Sequence, residues 1–400
     1  MPYLHSMPKV NPQILTWARE TAGLSLDAAA DAIDLNAKKG VSGADRLAAL
    51  ERGEGQPSRP LLLRMAHKYR RPLLVFYLAR PPMRGDRGED FRTLHNTHLD
   101  YDPLLDALIR DVRARHSLVR SVLEDDGAPR IPFVGSMSMK DGAAAVADSL
   151  CKNIKFDITK FRGRSNANEA FGYLRACLEQ AGVFVLLMGN LGSHHSNLSS
   201  KAFRGFAIAD PIAPFIVIND QDARAAWSFT ALHEAAHLWL GTSGISGAYA
   251  EAQIERFCND VAGHILLPSK ELSTLNDVRH APIDYVEKRI SDFANQLRIS
   301  RRMVAYQLMR FDFVDRPTWT VLTDRFHAAY LASKEKKKRD DDGGVSFYVV
   351  RRHRLGRALV ELVTRALSEG VLTYTKAGQV LGVKPGTVGP LLREPVRGGA

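Results

Sequence analysis

Hydrophobic residues recur at helical spacing along most of the chain, and two short apolar runs rich in β-branched residues interrupt that pattern. Residues three and four apart lie on one face of a helix, so this spacing predicts amphipathic helices that pack through one side. The two apolar runs, 183–188 and 215–218, are bounded by glycine, proline and asparagine, which predicts β-strands. The pattern therefore predicts an α+β fold with many helices and a small sheet.

One apolar segment, residues 227–241, contains the sequence His-Glu-x-x-His at His233, Glu234 and His237. Four residues make slightly more than one turn of an α-helix, so both imidazoles project from one face and can bind one zinc ion. Zinc lowers the pKa of a bound water to about 7, and the carboxylate of Glu234 can take the proton as the water attacks a peptide carbonyl. This pattern predicts the chemistry of a zinc peptidase.

A chance occurrence of the motif is the alternative interpretation, because the chain contains 13 histidines. The same segment, however, has an apolar stripe at helical spacing on a face distinct from the histidines. Gly241 follows directly and predicts the end of the helix. Charged groups are rarely buried without a partner, so packing alone explains this combination poorly and a metal site is favoured. The stripe consists of Phe229, Leu232, Ala236 and Leu240.

A zinc peptidase usually needs a third protein ligand and leaves the fourth position to water. Residues 251–268 have helical apolar spacing and end at Pro268, and a loop rich in Gly, Ser and Thr joins them to the motif helix. Glu255 is favoured as the third ligand and Glu251 is the second choice, with a surface salt bridge as the alternative role of either. Asn259, one turn after Glu255, is expected to orient that carboxylate without binding the metal.

Two roles are open for the strands predicted at 183–188 and 215–218. A strand beside the metal-bearing helix can supply an edge on which an extended peptide adds as a further strand and presents its carbonyl to the metal. Alternatively, both strands are buried sheet core.

Several of these segments together resemble the ImmA/IrrE metallopeptidases. The resemblance is tight over residues 203–219, 229–237, 255–259 and 266–268, and looser over nearly the whole chain. It implies a zincin-like peptidase domain with a small sheet. In that domain Glu234 is the general base, and zinc is held by His233, His237 and Glu255.

The same resemblance implies a substrate. Members of the family typically cut a helix-turn-helix transcriptional repressor at one site and so switch on stress or mobile-element genes. One residue departs from the family pattern, because Ala236 stands where glycine commonly precedes the second histidine. Its methyl group is expected to shift the neighbouring strand slightly and to leave the site intact. Two imidazoles and a carboxylate also suit Mn2+ or Fe2+, which are alternatives to Zn2+.

The N-terminal region predicts a small all-helical domain. Its four helical segments, separated by Gly, Pro and Ser, are 12–20, 25–33, 46–53 and 61–66. Ser25 is a favourable N-cap, and the order of segments resembles the repressor-type (XRE-like) helix-turn-helix domain. An insertion at residues 34–45 is expected to displace the recognition helix relative to a major groove. Sequence-specific DNA binding and a protein-docking or self-recognition role are therefore both open.

Shifts in composition divide the chain into five predicted regions. These are a helix-turn-helix-like domain at 8–82, a helical connector at 83–150, a zincin-like peptidase domain with helical support at 151–330, a charged solvated linker at 331–344, and a small helical module at 345–395. In the connector, Arg115 is expected on the solvated face of a long helix. In the last module, prolines and glycines between Pro385 and Pro390 are expected to interrupt a second recognition helix, which favours a structural or protein-contact role over DNA reading.

Composition narrows the class of protein. A chain of 400 residues, 45% of them hydrophobic, is long enough for several cores. Its three cysteines form neither a disulfide framework nor a cysteine zinc site, which suits a reducing cytosol. We expect a cytoplasmic protein without a membrane partner, because the N-terminus lacks a signal-like core and no run approaches the roughly 18 apolar residues of a spanning helix. Met7 is an alternative start to Met1. The net charge of +11 permits contact with nucleic acid.

The sequence thus predicts a cytoplasmic zinc endopeptidase that cleaves a helix-turn-helix repressor through water activated by Glu234. Its expected partners are that protein substrate and, through the N-terminal domain, DNA. The alternative prediction is a DNA-binding transcriptional regulator whose peptidase fold senses a metal or a partner.

Overall fold

The computed structural model describes residues 9–38, 40–82, 103–192, 196–200, 202–242, 249–340 and 346–393. The chain divides into two compact units. The first contains residues 1–92 and 99–109, and the second contains residues 93–98 and 110–400. The region predicted as a separate C-terminal module therefore lies in the same unit as the motif helix.

Four helices form the described core of the first unit. They are α1 (Pro12–Glu20), α2 (Leu26–Ala32), α3 (Gly43–Glu51) and α4 (Arg59–Lys68), and a 3-10 segment at Leu73–Tyr77 follows them. A side-chain oxygen before each helix accepts a backbone N–H of its first turn, which satisfies a donor that has no partner within the helix. These N-caps are Asn11, Ser25, Ser42 and Ser58, so the prediction at Ser25 is confirmed. The helices bury Ile14, Leu47, Leu62 and Met65 between them.

In the insertion at residues 34–45, the described residues before Gly43 form a turn, and residues 43–45 are the first turn of α3. Leu35 is buried, and the backbones of Lys38 and Val41 exchange hydrogen bonds of 3.0 and 3.1 Å. Gly43 permits the close contact, because a β-carbon there would stand 1.9 Å from the carbonyl oxygen of Leu35. α3 thus begins at Gly43, whereas the sequence predicted a start at residue 46. The role of this unit in DNA or protein recognition stays a prediction.

The second unit is mostly helical. Before its sheet lie α5 (Pro103–Asp125, of which residues from 110 belong here), α6 (Ala143–Asn153), α7 (Ile158–Arg162) and α8 (Ala167–Gln180). The strands are β1 (Phe184–Leu187), β2 (Gly205–Ile208) and β3 (Phe215–Ile218). After the sheet come α9 (Arg224–Leu240), α10 (Tyr249–Leu266), a 3-10 segment at Ser269–Val278, α11 (Ile283–Leu297), α12 (Arg301–Arg310) and α13 (Arg316–Asp340). The C-terminal helices are α14 (Phe347–Leu355), α15 (Arg357–Ser368), α16 (Tyr374–Leu381) and α17 (Pro385–Arg393).

The sheet has the strand order β1-β3-β2, with β1 parallel and β2 antiparallel to β3. A small mixed sheet among many helices confirms the predicted α+β class. Both predicted strands are present, but β3 is central and fully buried, so it cannot supply an edge. The strand that packs against α9 at the margin of the sheet is β2, which the sequence pattern did not predict.

One hydrophobic core joins the sheet to the motif helix and its neighbour. It includes Ile216 and Ile218 of β3, Leu232 and Ala236 of α9, and Val261 of α10, all fully buried. Within the described ranges, no helix is both long enough and apolar enough to span a bilayer.

Residues 331–340 of the predicted charged linker are helical, because α13 continues to Asp340. Lysine, glutamate and arginine are good helix formers, so a charged block extends a helix when the preceding turns are anchored. Tyr330 anchors them through its hydroxyl, which donates to the carbonyl oxygen of Gln221 at 2.8 Å. Residues 341–344 of the predicted linker lie outside the described residues.

The predicted interruption of the last helix is wrong, because α17 is continuous from Pro385 to Arg393. Proline is tolerated at a first helical position, where its missing N–H would have no partner. Pro390 does lie inside the helix, but the fully buried Val388 and Leu391 hold α17 in place by packing. Tertiary packing thus outweighs the local preference of these residues.

Buried arginines fix α5 and the C-terminal helices within the second unit. Arg115, predicted on a solvated face, is only 4% exposed and pairs with Asp111 at 2.6 Å. Arg175 of α8 donates to the carbonyl oxygens of Val185 and His353. Arg175 therefore links β1 to α14, the first of the C-terminal helices, through α8.

Candidate metal centre

Helix α9 places the His-Glu-x-x-His residues in the core of the second unit. It ends at Leu240, and Gly241 adopts the left-handed conformation, φ 67°, that the predicted stop requires. The predicted stripe packs into the core, with Leu232 and Ala236 fully buried and Phe229 and Leu240 half-buried. The histidine face is buried as well, since α10 covers it.

Glu255 on α10 meets both histidines. Its Oε1 lies 2.9 Å from Nε2 of His237, and its Oε2 lies 3.2 Å from Nε2 of His233. The two Nε2 atoms are 3.2 Å apart. The structure therefore brings together the three residues that the sequence suggested as ligands, within 4.8 Å of one another. The side chain of Glu251, the second choice, lies outside the described residues.

Both histidine rings are held at the nitrogen that faces away from this cluster. Nδ1 of His233 lies 3.1 Å from Oδ1 of Asn259, and Nδ1 of His237 lies 3.0 Å from Oγ1 of Thr242. An oxygen that accepts from Nδ1–H leaves the lone pair on Nε2, which then points toward Glu255.

The position of Asn259 corrects the sequence prediction in one respect. Asn259 was expected to orient Glu255, whereas its amide oxygen contacts the ring of His233. Because α10 crosses the histidine face of α9, the side chain of Asn259, one turn after Glu255, reaches His233 on α9 instead of Glu255 on its own helix. Thr242 was not predicted at all. Its only sequence signal is a hydroxyl residue directly after the helix-ending Gly241.

Charge in the cluster is concentrated on Glu255. Burial raises the pKa of this carboxyl group, but the contacts with His233 and His237 outweigh burial and lower the pKa to about 2. For His233, burial lowers the pKa of the ring, and the hydrogen bond to Glu255 with the attraction of Glu234 raises it above its ordinary value overall. A carboxylate that stays ionised beside two imidazoles suits the binding of a cation.

Glu234 differs from Glu255 in that one of its carboxylate oxygens is buried without a hydrogen-bond partner among the described residues. The residue is 5% exposed, and the oxygen concerned is Oε2. Burial raises its pKa to about 7, against the attraction of His233 and His237. Buried carboxyl groups in native proteins are normally hydrogen-bonded, so an unpartnered one beside a cluster of ligands indicates a functional group.

Strand β2 comes close to α9 at Glu234 because it begins with glycine. A β-carbon on Gly205 would stand 2.6 Å from Cγ2 of Thr230 and 2.8 Å from Oε1 of Glu234. The close approach of helix and strand thus depends on a glycine in the strand. Ala236, the departure from the family pattern, is fully buried in the core without displacing the histidines from Glu255.

A metal ion fits this donor set. Two imidazoles and a glutamate are the protein ligands of one class of zinc peptidases. Zinc binds imidazole nitrogens at about 2.0–2.1 Å in tetrahedral geometry, which separates two of them by roughly 3.4 Å. The 3.2 Å between Nε2 of His233 and Nε2 of His237 is close to that spacing. The cluster can therefore hold a divalent ion, and its ligand types also suit Mn2+ and Fe2+.

Comparison with known proteins gives one match. No curated protein and no solved structure matches the chain. Residues 179–309, about a third of the chain, match the family model Peptidase_M78, described as the IrrE N-terminal-like domain. The matched residues include β1 to β3, α9 and α10, and therefore every residue of the metal cluster. Over this segment the chain is similar to metallopeptidases of the ImmA/IrrE kind.

Proposed function

We propose that the protein is a zinc-dependent endopeptidase that cleaves a helix-turn-helix transcriptional repressor in a stress or mobile-element response. In this proposal the ligands of zinc are His233, His237 and Glu255, and Glu234 is the general base. The observation that carries the proposal is the convergence of two imidazole nitrogens and one carboxylate beside a second, unpartnered carboxylate.

Each residue has a distinct part in the proposed reaction. When bound, zinc makes a water molecule acidic and polarises a carbonyl oxygen. Glu234 accepts the proton of the attacking water and passes it to the amine nitrogen that leaves. Asn259 and Thr242 keep the rings of His233 and His237 oriented. Because water is the nucleophile, no covalent acyl-enzyme forms.

The edge strand β2 supports the proposal that an extended peptide binds beside α9. The carbonyl oxygen of Arg204, just before β2, accepts the N–H of Asn219, just after β3, so the backbone of Arg204 faces the β3 side. Along an antiparallel strand, every second residue directs its backbone N–H and C=O groups to the partner strand, and the residues between direct theirs to the opposite side. The backbone groups of Gly205 and Ala207 therefore point away from β3. Among the described residues, no strand pairs with that side of β2. A substrate strand added there would pass beside Glu234.

This arrangement limits which bond of a repressor is cut. An edge strand pairs with extended backbone, so the cleaved bond lies in a repressor segment that is extended or that opens locally. The choice of a repressor as substrate rests on the resemblance to the ImmA/IrrE family and on the family match over residues 179–309.

The test is cleavage by the full chain and by Glu234→Gln. Each protein receives one equivalent of ZnCl2 and is incubated with helix-turn-helix repressors encoded beside its gene, and the products are identified by intact-mass spectrometry. We expect two fragments whose masses add up to one repressor plus one water. Glu234→Gln is expected to bind zinc equally well and to cut about 10²- to 10⁴-fold more slowly.

Two results would overturn the proposal. Normal cleavage by Glu234→Gln would remove the assigned base. Tight zinc binding without cleavage of any repressor would favour the alternative, a regulator that senses a metal or a partner.

A further inference from the structure

The ring of His237 is fixed by a residue outside its helix. Oγ1 of Thr242 lies 3.0 Å from Nδ1 of His237 and 3.4 Å from the carbonyl oxygen of the same residue. The hydroxyl of Thr242 can donate its proton to that carbonyl oxygen, and its oxygen can then accept Nδ1–H of His237. The backbone N–H of Thr242 also donates to the carbonyl oxygen of His237, at 3.0 Å. Residue 242 is thereby held at both its backbone and its side chain.

A short segment, residues 133–137, packs against the end of α9 just before Thr242, and we call it the strap. The N–H of Gly135 donates to the carbonyl oxygen of Leu238 at 2.9 Å, and the N–H of Met137 donates to that of Trp239 at 3.1 Å. These bonds satisfy carbonyl groups that the end of a helix leaves without partners. Phe133 stacks on the indole of Trp239, with ring centroids 4.1 Å apart and planes at 8°.

The strap lies very close to the end of α9 because glycine stands on both sides of the contact, at Gly135 and Gly241. Gly241 has φ 67°, and a β-carbon there would stand 2.9 Å from Cα of Gly135. The left-handed conformation of Gly241 also turns the chain back, which brings the hydroxyl of Thr242 to the ring of His237. The position of that hydroxyl therefore follows from the packing of the strap and from the turn at Gly241.

We propose that Thr242 is a positioning residue of the metal centre: its hydroxyl fixes His237 as the Nδ1–H tautomer and directs Nε2 toward the ion. The inference rests on the proposed metal-binding function. Asn259 does the same for His233 from α10, so the two rings are oriented from two separate elements. Partners that orient ligating histidines typically change metal affinity by 10- to 100-fold.

The test compares Thr242→Val, which removes the hydroxyl but keeps the branched shape, with Thr242→Ser, which keeps the hydroxyl. Zinc affinity of the full chain is measured by competition with a chromogenic chelator. We expect affinity to fall about 10- to 100-fold in Thr242→Val and to stay within about threefold of the original chain in Thr242→Ser. In histidine-labelled protein, the Nδ1 proton resonance of His237 should persist with serine and vanish with valine.

The outcomes separate the positioning role from the metal site itself. If the original chain binds zinc no better than His237→Ala, the metal site fails and the proposed function fails with it. If the original chain binds tightly and Thr242→Val binds equally tightly, only the positioning role of Thr242 is overturned. If Thr242→Ser loses as much affinity as Thr242→Val, the effect comes from packing and not from the hydroxyl, and the inference is again overturned.

Discussion

Gly205 and Glu234 are packed so closely that a β-carbon on residue 205 would stand 2.8 Å from Oε1 of the glutamate. Gly205 belongs to β2, the outer side of which pairs with no strand among the described residues, and Glu234 belongs to the helix with both histidines. The glycine therefore brings together the surface proposed to bind the peptide and the carboxylate proposed to activate water. The two functions meet at one point of the fold because residue 205 has no side chain.

Gly205→Ala is expected to lower kcat about 100-fold while zinc affinity stays unchanged. The added methyl would collide with Thr230 and Glu234 and with the carbonyl oxygen of Val217, so that β2 or the base must move. Misplacement of a catalytic group by about 1 Å can cost that much in rate. The measurement is repressor cleavage together with zinc titration. Gly172→Ala is the matched control, because a β-carbon there meets nothing within 4 Å. Equal kcat in both variants would contradict the role of this contact.

Glu255→Gln is expected to weaken zinc binding about 100-fold or more, since it removes the only anionic ligand in the proposed set. Glu251→Gln, the corresponding change at the other glutamate considered for this role, should leave zinc affinity near that of the original chain. Isothermal titration of zinc into both proteins decides between them. The reverse result, a loss of zinc affinity in Glu251→Gln alone, would show that the third ligand is Glu251, one turn earlier on α10.

Arg175→Met should lower the free energy of unfolding by about 3–5 kcal/mol, because it removes the charged partner of the buried Glu179 and leaves that carboxylate only the backbone N–H groups of Arg357 and Ala358. Arg175 and Glu179 lie 3.1 Å apart, and both side chains are 8% exposed. The exposed pair of Arg357 and Glu361 supplies the control, since Arg357→Met should cost only about 0–1 kcal/mol. Urea unfolding measures both variants. Similar small losses would show that the contact of α8 with the C-terminal helices contributes little.

The stability of the second unit should fall as pH drops below about 6.5, the ordinary pKa of histidine. Burial lowers the pKa of His116 despite the attraction of Asp210, so the folded chain favours the neutral ring. Its contribution is complete above the pKa of the unfolded chain and is lost as pH falls toward the lower folded value. We expect the free energy of unfolding to drop more between pH 7.5 and 5.5 in the original chain than in His116→Gln. Parallel pH profiles of the two proteins would refute this contribution.

The cluster of candidate metal ligands was predictable because its signals are local. His233, Glu234 and His237 lie within one turn, and the next helix supplies a glutamate at a position that helical spacing already marks. Helices such as α1 and the strand β3 likewise follow from apolar spacing and from capping or bounding residues.

What the sequence did not show depends on contacts between distant segments. Strand β2 is four residues long and starts with Gly205, which by itself disfavours a strand, and it exists through pairing with β3 and packing on α9. Asn259 contacts His233 instead of Glu255 because of the angle at which α10 crosses α9, and spacing along one helix does not contain that angle. Thr242 contacts His237 across the turn at Gly241, and residues 133–137, about a hundred positions earlier in the chain, bond to the carbonyl groups of Leu238 and Trp239 at that helix end.

The most direct test of the central claim is diffraction from crystals of the full chain grown with ZnCl2, recorded on both sides of the zinc absorption edge. We expect one anomalous peak in the second unit, at about 2.0–2.2 Å from Nε2 of His233, from Nε2 of His237 and from a carboxylate oxygen of Glu255. A zinc peak bound elsewhere in the chain, or no peak at these three residues in zinc-saturated crystals, would contradict the account.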